Sequence, residues 1–533
     1  MASYLLMAAA VIVACVIFNR ISSKLGIPTL LAFILLGMFF GADGVIKIQF
    51  DDYAFAEQIC SIALIFIMFY GGFGTKWSAA QPIVVKAVLL SSLGTVITAG
   101  LVGLFCYFIL RIALLESFLI GAVICSTDAA SVFSILRSKR LNLRYHTASL
   151  LEVESGSNDP FSYMLTVIVL SIMDGKASGG DFAYMLFAQV AYGVAFGAAI
   201  AVVSMFFLRK FRFSTAGFDA IFMVAVAIIA YALPTYFGGN GYLSAYIVGI
   251  VLGNQRIEQK RALVNFFDAT TGLMQMVLFF LLGLIALPSQ LPGVALTGLW
   301  VALFLTFIAR PAAVFAILSP FKSNLNQQIL VSWAGMRGAA SIVFAIMAVI
   351  DPAVIKHDIF HIVFFIVLFS ILFQGTLIPF AAKALRMTDD ESDVMKTFTD
   401  YVDEVPIQFI QSTVSASHPW VGLEVRELVL PPESLLVLLI RGSRKIVPNG
   451  RTVLSNGDTL VLSGKATNRI DGVRLYERVI SKGDDWANKT LSEIPSGQDL
   501  IIMIRRGEEI LIPKGNTKLL EKDTLVINGA TVS

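Results

Sequence analysis

The chain has 533 residues, 57% of them hydrophobic and only 14% charged, where a soluble domain has roughly 45–50% and 25%. Its net charge is +3 at pH 7, and its basic residues are scattered over the loops between apolar runs, which excludes a nucleic-acid partner. A wholly soluble protein is excluded as well, leaving a polytopic membrane protein with a smaller soluble part.

Residues 1–18 are apolar, lack a basic leader region and a cleavage site, and read as a first span and not a removed signal peptide. Apolar runs long enough to span follow one another. The predicted helices are 4–18, 29–41, 55–74, 84–110, 114–136, 148–173, 182–208, 218–236, 242–253, 266–287, 294–318, 325–350 and 355–382. The expected membrane domain is therefore all-α, with about thirteen spans. Its four cysteines, Cys15, Cys60, Cys106 and Cys125, lie in apolar segments at spacings of neither a disulfide framework nor a metal site. Lysine and arginine collect in alternate loops, around Arg20, Lys76, Arg140, Arg209, Lys260, Lys322 and Arg386. The opposite loops hold only Lys47, Arg111, Lys176 and Lys356. By the positive-inside rule the N-terminus is outside the cell inner membrane and the C-terminal region cytoplasmic.

The sixth predicted helix contains Leu150-Leu151-Glu152-Val153-Glu154-Ser155-Gly156-Ser157-Asn158-Asp159-Pro160. A charge at mid-bilayer costs at least about 2.5–3.5 kcal/mol, so such residues mark functional sites. On a helix Ser155 and Asp159 share one face and Glu154 and Asn158 another, rotated by roughly 100°. One acid can then meet an ion while the other meets a neighbouring helix.

Two helices are interrupted at matching places: the fifth by Cys125-Ser126-Thr127-Asp128-Ala129-Ala130-Ser131, the twelfth by Gly335-Met336-Arg337-Gly338-Ala339. Helices 1–6 and 8–13 then form two six-helix halves, inverted because helix 7 lies between them. Broken helices at equivalent positions of inverted repeats point to a midplane ion site. Asp159, Asp128, Thr127 and Ser155 make an oxygen-rich cluster, and an interrupted helix frees carbonyls beside it. A buried carboxylate also takes up a proton readily, since burial disfavours its charged form. A group that holds either a cation or a proton is the minimum machinery for exchange. Arg337 needs a partner, and Glu154 is the expected one, as a structural pair. Arg310, before Pro311, reads as a structural residue near the inner end of helix 11.

No enzyme signature competes. Gly156-Ser157-Asn158 lacks the lysine of a phosphate loop. His146, His357, His361 and His418 do not group with carboxylates at metal spacing, and His357 and His361 read as a solvated face near an outer loop.

After residue 386 the composition changes. Residues 387–405 form a polar linker opened by Asp389, Asp390, Glu391 and Asp393. The remainder is a small α+β cytoplasmic domain with an internal repeat, 406–474 and 475–533. Arg441-Gly442, Pro448, Gly450, Thr452, Leu454 and Asp458-Thr459-Leu460-Val461 recur 65 residues later as Arg506-Gly507, Pro513, Gly515, Thr517, Leu519 and Asp523-Thr524-Leu525-Val526, with Trp420 and Trp486 heading the units. Each unit reads as strand, short helix and strand meander.

Ser126-Thr127-Asp128, Glu154-Ser155 with Asn158-Asp159, the 238–253 stretch and Gly335-Met336-Arg337-Gly338 together resemble the NhaP-type monovalent cation:proton antiporters of the first cation/proton antiporter family, over about residues 5–385. The tail resembles two tandem C-terminal domains of regulators of potassium conductance, as in potassium/proton antiporters of that family. The resemblance implies that Asp159 carries the cation or the proton and that Thr127, Asp128 and Ser155 complete the site, with a monovalent cation held at Asp159, Thr127 and Ser155. Glu154 and Arg337 would form a structural pair, and the Asn158-Asp159 pair would mark electroneutral exchange. It further implies a homodimer in which a mobile core moves against a dimerisation domain, and tail domains that can bind small regulators, nucleotides among them. No glycine-rich dinucleotide fingerprint precedes the tail, and no cofactor is expected. Two departures stand out: Tyr70-Gly71-Gly72 where many members have an acid, and Ala129 where proline is common. The leading expectation is an electroneutral potassium/proton antiporter regulated by its tail. Its rivals are a sodium/proton antiporter with a purely structural tail and a tail-gated cation channel.

Overall fold

The computed structural model describes the chain except residues 1, 26–27, 129–130, 133–134, 137–140, 142, 176–178, 211–216, 256, 258–259, 354, 389–406, 417, 432–433, 443, 466–474, 482–483, 495–499, 507–508, 512 and 529–533. It divides into two compact units, Met1–Val402 and Asp403–Ser533. The expected linker, 387–405, lies almost wholly outside the described residues.

Among the described residues, the regular elements of the first unit are helices, with one isolated bridge between Leu143 and Thr388. Its helices are α1 (Ala2–Leu25), α2 (Thr29–Phe40), α3 (Tyr53–Gly74), α4 (Val84–Phe108), α5 (Leu114–Ile124), α6 (Thr147–Met173) and α7 (Gly179–Lys210). There follow α8 (Phe218–Tyr236), α9 (Gly241–Gly253), α10 (Lys260–Ile285), α11 (Pro288–Leu318), α12 (Leu325–Trp333), α13 (Ala339–Ile350) and α14 (Ile359–Ala384). Among the described residues, seven helices are long and apolar enough to cross a membrane: α3, α4, α7, α8, α10, α11 and α14. Shorter apolar helices are α2, α5, α9 and α13, with Ala9–Phe18 within α1, and α6 carries the charges of its stretch.

The helices sort into two groups by what they pack against. α2 lies along α10, and α3, α7 and α8 lie along α9. α4 packs on α5, α5 on α6, and α14 on α11 and α13. The first group closes through small residues. Gly249 and Gly253, four apart on α9, sit so near the Phe69 and Phe73 carbonyls of α3 that a Cβ at either would run into them. This is the small-residue contact by which membrane helices approach closely. In the second group, α4 and α11 each carry a π turn, Leu90–Gly94 and Leu305–Ala309, and α14 a third at Ser370–Gly375. The π turn of α11 ends just before Arg310-Pro311, where proline removes a backbone donor.

The two predicted interruptions are present. α5 ends at Ile124 and residues 125–128 are unwound; α12 ends at Trp333 and α13 restarts at Ala339. His357 is exposed, as expected, but His361 differs from expectation. His361 is 3% exposed and its Nδ1 lies 2.6 Å from Asp358, while its Nε2 accepts from the Leu287 N–H. His357 lies 2.5 Å from Glu116. The Asp358 contact is local, from the residue that caps α14. The contacts of His357 with Glu116 and of His361 with the Leu287 N–H are tertiary, made because the loop before α14 folds back over the ends of α5 and α10, and helical spacing does not reveal them.

The second unit holds two four-stranded antiparallel sheets: β1 (Ile407–Thr413), β2 (Ser434–Arg441), β3 (Arg444–Ile446) and β4 (Thr459–Lys465), then β5 (Leu475–Val479), β6 (Leu500–Arg506), β7 (Glu509–Leu511) and β8 (Thr524–Asn528). Their orders are β1-β4-β2-β3 and β5-β8-β6-β7, and the same bulge interrupts β2 and β6. The chain is not a simple meander, since the last strand of each unit lies between its first two. The expected short helix is a single 3₁₀ turn, Val425–Glu427 or Leu491–Glu493, closed by a capping box. In the first tail repeat Pro431 disfavours helical backbone at the residue before it. The repeat identities have a structural basis. Leu439, Leu454 and Leu460 form one core, and Ile504, Leu519 and Leu525, each 65 residues on, form the other. Arg441 donates from Nε and Nη2 to the buried Asp458 at 2.7 Å, and Arg506 does the same to Asp523 at 2.9 and 2.8 Å.

Candidate ion-binding site

The two interruptions cross. The Asp128 N–H donates to the Met336 carbonyl at 2.8 Å, and the Ser126 and Ser341 hydroxyls lie 3.2 Å apart. Unwinding leaves helix-end groups without partners, and here each unwound segment satisfies part of the other. Gly338 has a specific reason to be glycine: a Cβ there would run into the Asp128 carboxylate. Asp128 in turn accepts from the Ser131 N–H and hydroxyl.

α6 lies beside this crossing. The Ser155 hydroxyl donates to the Thr127 carbonyl at 2.6 Å. The Asn158 amide donates to the Thr127 hydroxyl at 2.6 Å and accepts from the Thr127 N–H at 3.3 Å. Asn158 is thus a clamp on the unwound end of α5. Ser162, one turn on, donates to the Ala122 carbonyl at 2.6 Å, so three turns of α6 hold the α5 break in place.

Asp159 is 7% exposed, and its Oδ1 has no hydrogen-bond partner. It faces a cavity of about 150 Å³, lined also by Thr127, Asp128, Ser155 and Gly338 on the broken-helix side and by Leu64, Met68, Gln275 and Phe279 of α3 and α10. The structure therefore brings together Asp159, Asp128, Thr127 and Ser155 around one cavity, with Asn158 behind Thr127. Gln275 and Phe279 were not among the expected residues; no pattern along α10 sets them apart from its other polar and aromatic positions. Tyr70 lies outside this lining, with its hydroxyl 3.4 Å from Asp268.

One expected contact is corrected. Glu154 pairs with Arg310, twice at 2.8 Å, with side chains 1% and 3% exposed. Arg337 instead donates from Nη1 to the Ser126 carbonyl at 2.6 Å and from its backbone N–H to Ser370 at 3.0 Å. Its Nε and Nη2 have no hydrogen-bond partner. The reason is geometric. The break between α12 and α13 aims Arg337 at the carbonyl end of α5, where a cation offsets the negative end of a helix dipole. The π turn in α11 meanwhile presents Arg310 to the Glu154 face of α6. Arg310, expected near the inner end of its helix, is buried inside α11.

Chemically, a buried carboxylate with a free oxygen, flanked by hydroxyls in a small cavity, suits a hard monovalent cation or a proton. Among the described residues no group of three or more His, Cys, Asp and Glu could hold a metal ion.

Residues 8–384 match the transmembrane sodium/hydrogen exchanger family, and residues 409–470 and 475–531 each match the TrkA-C domain. A K(+)/H(+) antiporter NhaP of Alkalimonas amylolytica is 32% identical over 84% of this chain and 78% of its own length. A K(+)/H(+) antiporter NhaP2 of Shewanella baltica is 30% identical over 87% of this chain and 81% of its own. The solved structure of the sodium proton antiporter MjNhaP1 from Methanocaldococcus jannaschii shares the fold, with a TM-score of 0.61 at 23% identity, covering 70% of this chain and 99% of that one. The chain is a multi-pass membrane protein of the sodium/hydrogen exchanger family, with two TrkA-C domains in its tail.

Proposed function

We propose that the protein is an electroneutral potassium/proton antiporter that exchanges one monovalent cation for one proton at Asp159 by alternating access. The observation that carries this reading is the unpartnered Oδ1 of buried Asp159, facing a cavity whose Ser126, Thr127, Asp128 and Ser155 are held around two crossing helix breaks. Thr127 and Ser155 supply further oxygen ligands, Asp128 adds negative charge, and Asn158 holds Thr127 in place. With a single titrating carrier, cation and proton compete, and competition couples their movements. The names of the relatives favour potassium. The thirteen predicted spans, with α12 and α13 as one broken span, form two inverted halves. The N-terminus faces outward in the cell inner membrane, and the tail faces the cytoplasm. The α4–α6 and α11–α14 group moves against the α1–α3 and α7–α10 group, which also forms a homodimer. Domains at 1–386, 406–474 and 475–533 follow from this reading. The tail domains regulate exchange by binding a small ligand, and can shift the transporter only by that ligand's differential affinity for the two states.

Dye-monitored antiport in vesicles tests it, with potassium, sodium and lithium compared across pH. Asp159→Asn should insert normally and lose exchange, and the wild-type rate should not change with imposed membrane potential at fixed pH gradient. Cation-driven proton movement that survives in Asp159→Asn would overturn the assignment of the carrier.

A further inference from the structure

We infer that Glu57 is a second cation-binding carboxylate, on an access route that reaches Asp159 from the opposite side to the cavity and is closed by Tyr163 against Tyr242. The inference rests on Asp159 being the carrier.

The cavity approaches Asp159 from one direction only. Its α6 residues run from Glu152 to Asp159 and stop there, and its α3 residues run from Leu64 to Gly71. Beyond that end, α6 places Tyr163 one turn past Asp159 on the same face, and α3 places Ser61 and then Glu57 toward its Tyr53 end. Tyr163 meets Tyr242 edge to face at 5.1 Å and Phe344 at 5.8 Å. Tyr242 also meets Tyr231 at 4.8 Å and Phe344 at 6.4 Å. Tyr242 and Phe344 are almost wholly buried. The four rings pack on one another in one cluster, which begins at Tyr163, one turn past Asp159.

Glu57 stands behind this closure. It is half-buried and accepts from the Ser61 hydroxyl at 2.7 Å. Among the described residues no lysine or arginine pairs with it. It lies near enough to Tyr163 and Tyr231 to interact with both electrostatically. A carboxylate without a basic partner inside an apolar span is costly unless it has a role, and Glu57 already holds one hydroxyl oxygen, that of Ser61, with the Tyr163 and Tyr231 phenols within electrostatic reach; oxygen donors of this kind suit a hard monovalent cation. The rings belong to different helix groups. Tyr163 on α6 and Phe344 on α13 lie with the broken helices, while Tyr231, Tyr242, Ser61 and Glu57 lie on α8, α9 and α3. Displacing one group against the other parts Tyr163 from Tyr242 and joins the Glu57 site to Asp159. Glu57 then raises the local cation concentration at the route's mouth and passes the ion inward.

The test uses the full chain in sealed vesicles, with potassium supplied to one face at a time. Glu57→Gln should raise the half-saturating potassium concentration about fivefold to tenfold at the face carrying the Tyr53 end of α3. It should leave the other face unchanged, and Glu57→Asp should restore most of the loss. Equal half-saturation on both faces in Glu57→Gln, whether unchanged or raised together, overturns the inference. If Glu57→Gln does not insert, Ser61→Cys decides. The four native cysteines are buried, so a thiol reagent added at that face should modify Cys at position 61, and potassium should slow the reaction. A cysteine that stays unmodified, or reacts at a rate indifferent to potassium, overturns the inference. The carrier reading is judged separately, by whether exchange present in the wild type is lost in Asp159→Asn.

Discussion

Replacing Glu154 by glutamine distinguishes the two arginines that compete for it. Glu154 and Arg310 meet through two contacts of 2.8 Å with almost no exposed surface. Removing one partner of such a pair leaves the other as an uncompensated buried charge, at a cost of about 3–5 kcal/mol. A destabilisation of 1 kcal/mol lowers the unfolding midpoint by about 2–4 °C in chains of 150–250 residues and by less in longer ones. The variant should therefore melt several degrees below the wild type in detergent, followed by tryptophan fluorescence. Its apparent cation affinity should change little, because Glu154 lies outside the cavity lining. A double-mutant cycle completes the test. Coupling between Glu154→Gln and Arg310→Gln should exceed about 2 kcal/mol, and coupling between Glu154→Gln and Arg337→Gln should stay under about 1 kcal/mol. A cycle with the larger coupling at Arg337, or a fully stable Glu154→Gln with a large loss of cation affinity, would refute this assignment.

Three further predictions concern the site and the tail. Gly338→Ala should insert but exchange about tenfold or more slowly, since its methyl displaces the Asp128 carboxylate and small misplacements in a site are costly; vesicle antiport at wild-type rate would contradict it. Arg441, bonded to the Asp458 carboxyl, holds it below the usual aspartate range, so the stability it contributes is complete above the unfolded value of about 3.9 and is lost as pH falls through the lower folded value. The first tail unit should therefore become sensitive to an acid-active protease below about pH 4, and Asp458→Asn should be weaker at neutral pH with that acid-dependent loss removed. A chain ending after Thr388, just past the Leu143–Thr388 bridge, should still exchange ions but with a shifted pH or cation dependence; an activity profile identical to the full-length protein under all conditions and candidate ligands would reject regulation by the tail.

The sequence by itself determined the apolar spans, because twenty-odd residues without charge have few other uses, and it marked both helix breaks, because polar and glycine-rich runs cannot be spent idly inside a membrane. For the same reason it marked the α6 stretch with Glu152, Glu154 and Asp159, from which the family resemblance singled out Asp159. It also displayed the tail repeat, since Arg441, Leu454, Asp458 and Leu460 have counterparts 65 residues on that hold equivalent places in the second sheet. Tertiary structure alone decided which charges meet. Periodicity gives the face of a helix but not its neighbour or its depth, so one glutamate faced two arginines, and the π turn in α11 together with the aim of the α12–α13 break settled the pairing. His361 was read as solvated because four-residue spacing cannot register a loop folding over it. Likewise Asn158 and Asp159 are adjacent in sequence, yet the 100° turn between them sends one to brace Thr127 and leaves the other with a free oxygen in the cavity.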